Sequence, residues 1–187
     1  ADLLNESSSN CLLKTLEEPT NGVFILLTSR LNLLLDTIIS RCQTIKFKPS
    51  SYQELKQIIK QSKHNTTDLL SENEILENLI FISNGSPGKL INNLEIWNQI
   101  PENIKHDIKY PLKNYESILF LAKNITSQLD LNHQELLLNY IQRDWWKRTK
   151  NKRFAEILEG IKDNISSNVQ PRISWEVGLL KVKLKDS

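Results

Sequence analysis

The stretch Val23-Phe24-Ile25-Leu26-Leu27 is continuously apolar and is bounded by turn and polar residues. That pattern is typical of a β-strand buried on both faces, as in a parallel sheet covered by helices. An amphipathic helix is predicted over residues 2–17 and should end at Pro19, because proline cannot continue a helical hydrogen-bond ladder. A short helix over about 33–41 and a short strand over 44–47 complete an α/β unit. Since one or two strands do not make a stable parallel sheet, the rest of the sheet is either missing or supplied by another chain.

Downstream of this unit the apolar residues recur at helical spacing up to the end of the chain. Three short helices are expected first, namely 52–63, Ser71 (with Glu74 as a capping box) to Gly85, and Pro87 to about Asn98. Residues 99–111 contain two prolines and are interpreted as a linker. Four more helices are predicted at 112–127, 132–148, 151–168 and 173–184. Their single apolar faces favour a helical bundle.

The composition is that of a globular protein rather than a polyelectrolyte. Of the 187 residues 39% are hydrophobic and 25% are charged, and the net charge is only +2. This is enough apolar material for a core in one domain or two small ones. No apolar run approaches the roughly 20 residues that span a bilayer, and the N-terminus lacks the pattern of a signal peptide. We therefore expect a cytoplasmic protein that does not contact membranes.

Cys11 and Cys42 stand alone in the sequence, without a C-x-x-C pair. Two isolated cysteines do not form a zinc site, and a disulfide is not expected in an intracellular chain. We predict no metal site. His64, His106 and His133 are scattered, without the partner spacing of a metal site or a general base, and are interpreted as surface residues.

Two motifs resemble a known family. The run Asn10-Cys11-Leu12-Leu13-Lys14-Thr15-Leu16-Glu17-Glu18-Pro19 resembles the N-A-L-L-K-x-L-E-E-P stretch of bacterial clamp-loader subunits of the AAA+ fold, and Ser40-Arg41-Cys42 matches their S-R-C motif. The spacing between the two motifs also fits. Farther along, Gly85-Ser86-Pro87-Gly88 resembles the lid of delta-prime subunits of DNA polymerase III. The segment from Asn168 to Arg172, followed by Glu176, Leu179 and Leu180, resembles their last helix.

This resemblance implies a mainly α-helical chain in three parts. Residues 1–49 would be the C-terminal remnant of an AAA+ P-loop α/β domain, residues 50–99 a three-helix lid, and residues 105–187 an all-α collar for oligomerisation. The implied partners are motor subunits of the tau/gamma type and a delta-type subunit in a hetero-pentamer of the DNA polymerase III holoenzyme. The sliding clamp and primed DNA would be reached indirectly.

The chain departs from the motor subunits of this family in ways that bear on ATP. It contains no G-x-x-x-x-G-K-[ST] loop and no strand that ends in paired acidic residues. The cysteine cluster of many delta-prime subunits is absent as well. Where motor subunits carry a lid arginine, this chain has Gly88. The resemblance therefore implies a fragment-like, delta-prime-type chain that binds no cofactor itself, with ATP and Mg²⁺ held by partner subunits.

Arg41 is the candidate catalytic residue that the resemblance implies. It would act as an arginine finger in trans, because a guanidinium from a neighbouring subunit stabilises the charge that phosphoryl transfer develops. The alternative is a surface arginine paired with a carboxylate such as Asp36. Ser40 would cap or orient the turn, and Cys42 is interpreted as a small buried hydrophobe.

Thr28 ends the predicted strand, where AAA+ proteins place a polar residue that senses the γ-phosphate. In a chain without a phosphate loop, this sensor-1-like position is interpreted as vestigial, with strand capping as its other role. In the family, Lys14, Glu17 and Glu18 lie on a helix that faces the neighbouring subunit, and a solvated helix face is the alternative.

Cations and tryptophans cluster between Arg143 and Arg153. Such a mixture can bind single-stranded nucleic acid. In a helical collar, however, tryptophans more often anchor neighbouring helices, and the cations cover a solvated helix end. We favour the second interpretation.

Three functions remain open on the sequence alone. The first is a non-hydrolytic delta-prime-like subunit that presents Arg41 to a neighbour's ATP while the complex loads the clamp. The second is a structural adaptor that only assembles, and the third is a fragment of an active AAA+ motor subunit. No constellation in the chain indicates an independent enzyme.

Overall fold

The computed structural model describes residues 5–18, 22–61, 73–110, 112 and 114–186. The chain divides into two compact units, Ala1–Lys48 and Pro49–Ser187. The first unit contains α1 (Glu6–Glu17), a 3-10 helix (Leu31–Leu33) and α2 (Asp36–Ile39). The second contains α3 (Tyr52–Gln61), α4 (Asn73–Ile82), α5 (Pro87–Gln99), α6 (Glu102–Asp107), α7 (Tyr115–Gln128), α8 (Leu131–Thr149), α9 (Lys152–Ser166) and α10 (Pro171–Asp186). The chain is mainly α-helical, as predicted.

The two predicted strands are wrong. Residues 23–28 and 43–50 adopt neither helix nor strand, and the part of the chain that the structure describes contains no strand at all. Val23 in the first predicted strand and Phe47 in the second are each 90% exposed, so neither segment is buried on both faces. A strand needs a neighbour to satisfy its backbone donors and acceptors, and no such neighbour is present among these residues.

The predicted linker over 99–111 is also wrong, because it contains α6. Ile100, Ile104 and Ile108 are all at most 3% exposed. Ile104 lies within α6 and Ile108 caps its end, so one face of this helix packs into the core, while Ile100 is buried just before the helix. Pro101 precedes the helix at its N-cap, where a missing N–H costs nothing, so it starts this helix rather than breaking it.

Local side-chain chemistry begins several helices. At α3, the backbone N–H of Ser51 donates to Glu54 Oε2 at 2.6 Å, and the backbone N–H of Glu54 donates to Ser51 Oγ at 3.3 Å. This capping box holds the pKa of Glu54 below its usual value, mainly through the backbone N–H of Ser51. Pro87 occupies the first turn of α5 behind the Ser86 cap, as predicted. The Ser71 capping box, the helix stop at Pro19 and His64 lie outside the described residues.

The second unit is built around one continuous apolar core that runs from Leu55 to Val182. Its largest fully buried side chains include Trp97, Trp145 and Trp175. Two of the indoles are tied by hydrogen bonds. Trp145 Nε1 donates to the carbonyl of Ile108 at 3.0 Å, and Trp175 Nε1 donates to Gln134 Oε1 at 3.0 Å. The predicted separation of this unit into a lid and a collar stays a prediction.

Gly85 connects the start of the second unit to the end of α4. Its φ is +76°, a conformation that residues with a Cβ rarely adopt. Its carbonyl accepts a 2.8 Å hydrogen bond from the backbone N–H of Ser50. A Cβ at this position would lie 2.5 Å from Pro49 Cβ, so the close approach of the two segments requires glycine.

Candidate functional site

The candidate site lies in the first unit, on the turn that follows α2. Ile38, which is 1% exposed, anchors this short helix. The backbone N–H of Arg41 donates to the carbonyl of Ile38 at 3.1 Å, which winds the chain into a tight turn after Ile39. Arg41 therefore leaves the helix from a fixed backbone position, although the helix itself spans only four residues.

The side chain of Arg41 is held by two contacts. Its Nη1 donates to the carbonyl of Thr37 at 3.0 Å, and its Nη2 forms an ion pair with Glu17 Oε1 at 2.5 Å. The Arg41 side chain keeps 38% of its surface exposed, and the Glu17 side chain keeps 53%. The two sequence motifs thus meet in space, because Glu17 belongs to the first motif and Arg41 to the second.

Sequence reasoning named Asp36 as a possible carboxylate partner of Arg41, and the structure pairs Arg41 with Glu17 instead. Glu17 ends α1, and the sequence indicated it only as a residue of a helix face. No spacing in the sequence singles out Glu17 among the nearby carboxylates, because only the packing of α1 decides the pairing.

The other residues of the predicted site make local structural contacts. Ser40 Oγ donates to the carbonyl of Thr37 at 3.1 Å, the same acceptor that Arg41 uses. Cys42 is a free, half-buried thiol. Thr28 Oγ1 accepts a 3.0 Å hydrogen bond from the backbone N–H of Arg30, which fixes a local turn. Within the described residues, Thr28 makes no hydrogen bond to Arg41.

The cluster of cations and tryptophans between Arg143 and Arg153 mostly joins helices. Trp145 is buried, and Lys147 Nζ lies 3.1 Å from Glu77 Oε2 of α4. Arg148 bridges Asp144 Oδ2 at 3.0 Å and Glu74 Oε1 at 3.0 Å. These contacts pair two of the six cations in this stretch, Lys147 and Arg148, with carboxylates.

A buried polar group between α4 and α8 was missed by sequence reasoning. Asn78 is 0% exposed and its Nδ2 donates to Asp144 Oδ1 at 3.3 Å. Burial, reinforced by the negative charge of Asp144, raises the pKa of Tyr140 to about 12. No spacing in the sequence marks these residues as a group, because 66 positions separate Asn78 from Asp144.

Two further features bear on function. Among the residues that the structure describes, no cluster of three or more His, Cys, Asp or Glu side chains could hold a metal ion. His106 and His133 instead contact the carboxylates of Asp107 and Asp130. No helix in the described ranges is both long enough and apolar enough to cross a membrane.

Comparison with known proteins identifies the family to which the chain belongs. Residues 53–182 match the family described as cyanobacterial DNA polymerase III delta prime, C-terminal domain, and residues 1–51 match the family described as DNA polymerase III, delta subunit. The first match covers most of the chain. The chain therefore belongs to the DNA polymerase III delta-prime family, which confirms the resemblance drawn from the motifs.

Two curated relatives agree with this assignment. Over 50 residues, 26% of the chain, it is 50% identical to DNA polymerase III subunit delta' of Bacillus subtilis (strain 168). Over 147 residues, 74% of the chain, it is 29% identical to DNA polymerase III subunit gamma of Buchnera aphidicola subsp. Baizongia pistaciae (strain Bp). The aligned parts are 15% and 38% of the length of those relatives. No solved structure gives a significant match.

Proposed function

We propose that this chain is a non-hydrolytic, delta-prime-like subunit of the DNA polymerase III clamp loader. In this role it presents Arg41 in trans to ATP bound by a neighbouring motor subunit, and the complex loads the sliding clamp on primed DNA. The partners would be motor subunits of the tau/gamma type and a delta-type subunit in a hetero-pentamer, which would place the protein in the cytoplasm. Its similarity to a delta' and a gamma subunit of DNA polymerase III supports this choice of partners.

The geometry of Arg41 is the observation that carries the proposal. Its guanidinium is positioned by Thr37 and Glu17 but remains partly exposed. An exposed ion pair contributes only about 0–1 kcal/mol, so a phosphate can displace Glu17 at little cost. An arginine finger, by contrast, is worth roughly 10³–10⁵ in rate. The small cost of leaving Glu17 is compatible with a contact between Arg41 and the transition state of hydrolysis at a neighbour's ATP.

The proposal also assigns ATP binding to the partner subunits. The sequence contains no phosphate loop, so none of its own residues would cradle the phosphates. The partner would bind ATP and Mg²⁺ and position the attacking water. Arg41 would add a delocalised positive charge where negative charge develops, and Ser40 would help to hold the turn that aims it.

Single-turnover hydrolysis in a reconstituted complex tests the proposal. The complex would contain motor subunits in which only the ATP site bordering this chain is intact. Arg41→Ala is expected to slow hydrolysis at that site by about 10³ or more while assembly, followed by size-exclusion chromatography, is unchanged. Arg41→Lys should recover little activity, because an ammonium lacks the planar fork of a guanidinium.

Arg30→Ala supplies the matched control, since it removes another exposed arginine from the same unit. The complex that contains Arg30→Ala should hydrolyse ATP at the wild-type rate. Normal hydrolysis by Arg41→Ala would reject the finger. Equal losses in both variants would indicate a general effect of charge rather than a specific contact.

One observation favours the structural adaptor as a second candidate. Arg41 already has a carboxylate partner in Glu17, and an arginine neutralised within its own chain needs no phosphate. An adaptor would assemble with motor subunits without changing their ATPase rate. The similarity to a gamma subunit keeps the motor-fragment alternative open, and a phosphate loop encoded upstream of residue 1 would support it.

A further inference from the structure

A groove in the second unit combines an apolar floor with a cation. It has a volume of about 450 Å³ and lies between the start of α3, the end of α4 and the middle of α8. This size falls within the range of small ligand sites. Leu55 and Ile80 line it and are almost fully buried, whereas Tyr52 and Phe81 line it and keep 43% and 55% of their surfaces exposed.

Arg143 supplies the cation of this groove. Its guanidinium carbon lies 3.6 Å from the centroid of the Phe81 ring, so the two groups stack. Its Nε is buried without a hydrogen-bond partner. Within the described residues no carboxylate pairs with Arg143, unlike its neighbours Lys147 and Arg148. An oxyanion at the terminal nitrogens of the guanidinium would supply a charge-assisted hydrogen bond that no described carboxylate provides.

The surroundings distinguish between two kinds of anionic ligand. Single-stranded nucleic acid needs a track of cations along its backbone, with stacking platforms. Here the positive charge of Lys147 is paired with Glu77, so the described residues of the groove hold a single unpaired cation and no such track. One unneutralised guanidinium over an apolar floor instead suits an apolar side chain next to a carboxylate.

We propose that this groove binds a short segment of a partner protein in which an aromatic or aliphatic side chain neighbours an acidic residue. The apolar side chain would contact Tyr52, Leu55 and Phe81. Its carboxylate would accept hydrogen bonds from the terminal nitrogens of Arg143. The proposal does not depend on Arg41, which belongs to the other unit.

The test uses the full chain labelled with ¹⁵N and a defined probe, the capped peptide acetyl-Asp-Phe-Asp-Leu-amide. Amide shifts of residues around Tyr52, Phe81 and Arg143 are followed during titration. The same peptide with Asn in place of both Asp residues serves as the neutral control. We expect the acidic peptide to bind in the groove and the neutral one to bind about tenfold or more weakly.

Three variants make the result specific. Arg143→Ala should weaken the acidic peptide about tenfold or more and leave the neutral peptide little changed. Tyr52→Ala should weaken both peptides, because it removes apolar contact area. Arg153→Ala, an exposed arginine outside the groove, should change neither. Thermal unfolding of each variant separates loss of binding from loss of fold.

Several outcomes would overturn the proposal. These are no shift in the groove at millimolar acidic peptide, equal binding of both peptides, or equal effects of Arg143→Ala and Arg153→Ala. Saturable binding of oligothymidylate of about ten nucleotides to the same residues, lost in Arg143→Ala, would instead assign the groove to nucleic acid.

Discussion

At the scale of single residues, one ion pair connects the sequence motifs to the proposed function. Arg41 and Glu17 lie 24 positions apart in the chain and meet at 2.5 Å. That Arg41 is a candidate functional residue could be predicted from the sequence, because Ser40-Arg41-Cys42 lies at a recognisable spacing from the first motif. Its partner could not, since several exposed carboxylates were within reach and only the packing of α1 decides among them.

Gly85 gives a residue-scale test of the second unit. Gly85→Ala should destabilise the protein by about 2–4 kcal/mol, because φ is +76° and the new Cβ would clash with Pro49. Gly88→Ala is the control, since its Cβ would meet nothing within 4 Å and alanine favours a helix. Urea unfolding measures both. Equal stability of the two variants would show that the approach of Pro49 to Gly85 is not tight.

Tyr140 predicts how stability depends on alkaline pH. Its pKa is 10.0 when unfolded and about 12 when folded, so the unfolded state loses its proton first as the pH rises. Tyr140 therefore stabilises the fold fully below pH 10, and roughly 2–3 kcal/mol of stability is lost between pH 10 and 12. Tyr140→Phe should lose less stability over this interval. Parallel pH profiles for wild type and variant, measured by denaturant unfolding, would contradict the burial of the phenol.

At the scale of secondary-structure elements, apolar periodicity predicted the helices of this chain well, whereas the continuous apolar run wrongly predicted a strand. The helices at 131–149 and 152–166 lie within two residues of their predicted bounds, because repeated apolar faces and clear caps define them. The strand prediction at 23–28 failed for a physical reason. A continuous apolar run shows that burial is favourable, but only a neighbouring strand can provide the backbone partners. The helix at 102–107 was not predicted, because the prolines on either side of it, Pro101 and Pro111, indicated a linker more strongly than the apolar spacing indicated a helix.

The contact between α4 and α8 gives a prediction at this scale. Asp144 accepts from Asn78 and Arg148, so Asp144→Ala leaves both donors without that acceptor. We expect a loss of about 1–3 kcal/mol in the free energy of unfolding. Glu156→Ala breaks the exposed pair with Lys152, which is 3.7 Å long, and should cost at most about 0.5 kcal/mol. Similar losses in the two variants would mean that the α4–α8 contact is no more than a surface pair.

At the scale of the whole molecule, the two units differ in how much apolar surface they bury. The second has a continuous core, whereas Val23 and Ile25 of the first are 90% and 78% exposed. Exposed apolar surface of this kind marks a site of interaction. This contrast is consistent with a first unit whose apolar surface is covered by further protein, either of the same polypeptide or of a partner.

Hydrogen exchange on the isolated chain tests this contrast. Amides of Val23, Phe24 and Ile25 should exchange rapidly, because no strand pairing protects them. Amides in the middle of α8 should exchange slowly, at rates set by unfolding of the core. Strong protection of the Val23 to Ile25 amides would contradict the exposed conformation of this segment.

The central claim is that Arg41 acts on a nucleotide held by another subunit. A structure of the assembled complex with a transition-state analogue, ADP–aluminium fluoride, tests it most directly. We predict that Arg41 leaves Glu17 and that its guanidinium donates hydrogen bonds to fluorine atoms of the aluminium fluoride, which takes the place of the γ-phosphate. An Arg41 that remains paired with Glu17 and faces solvent, distant from every bound nucleotide, would contradict the claim and leave assembly as the role of this chain.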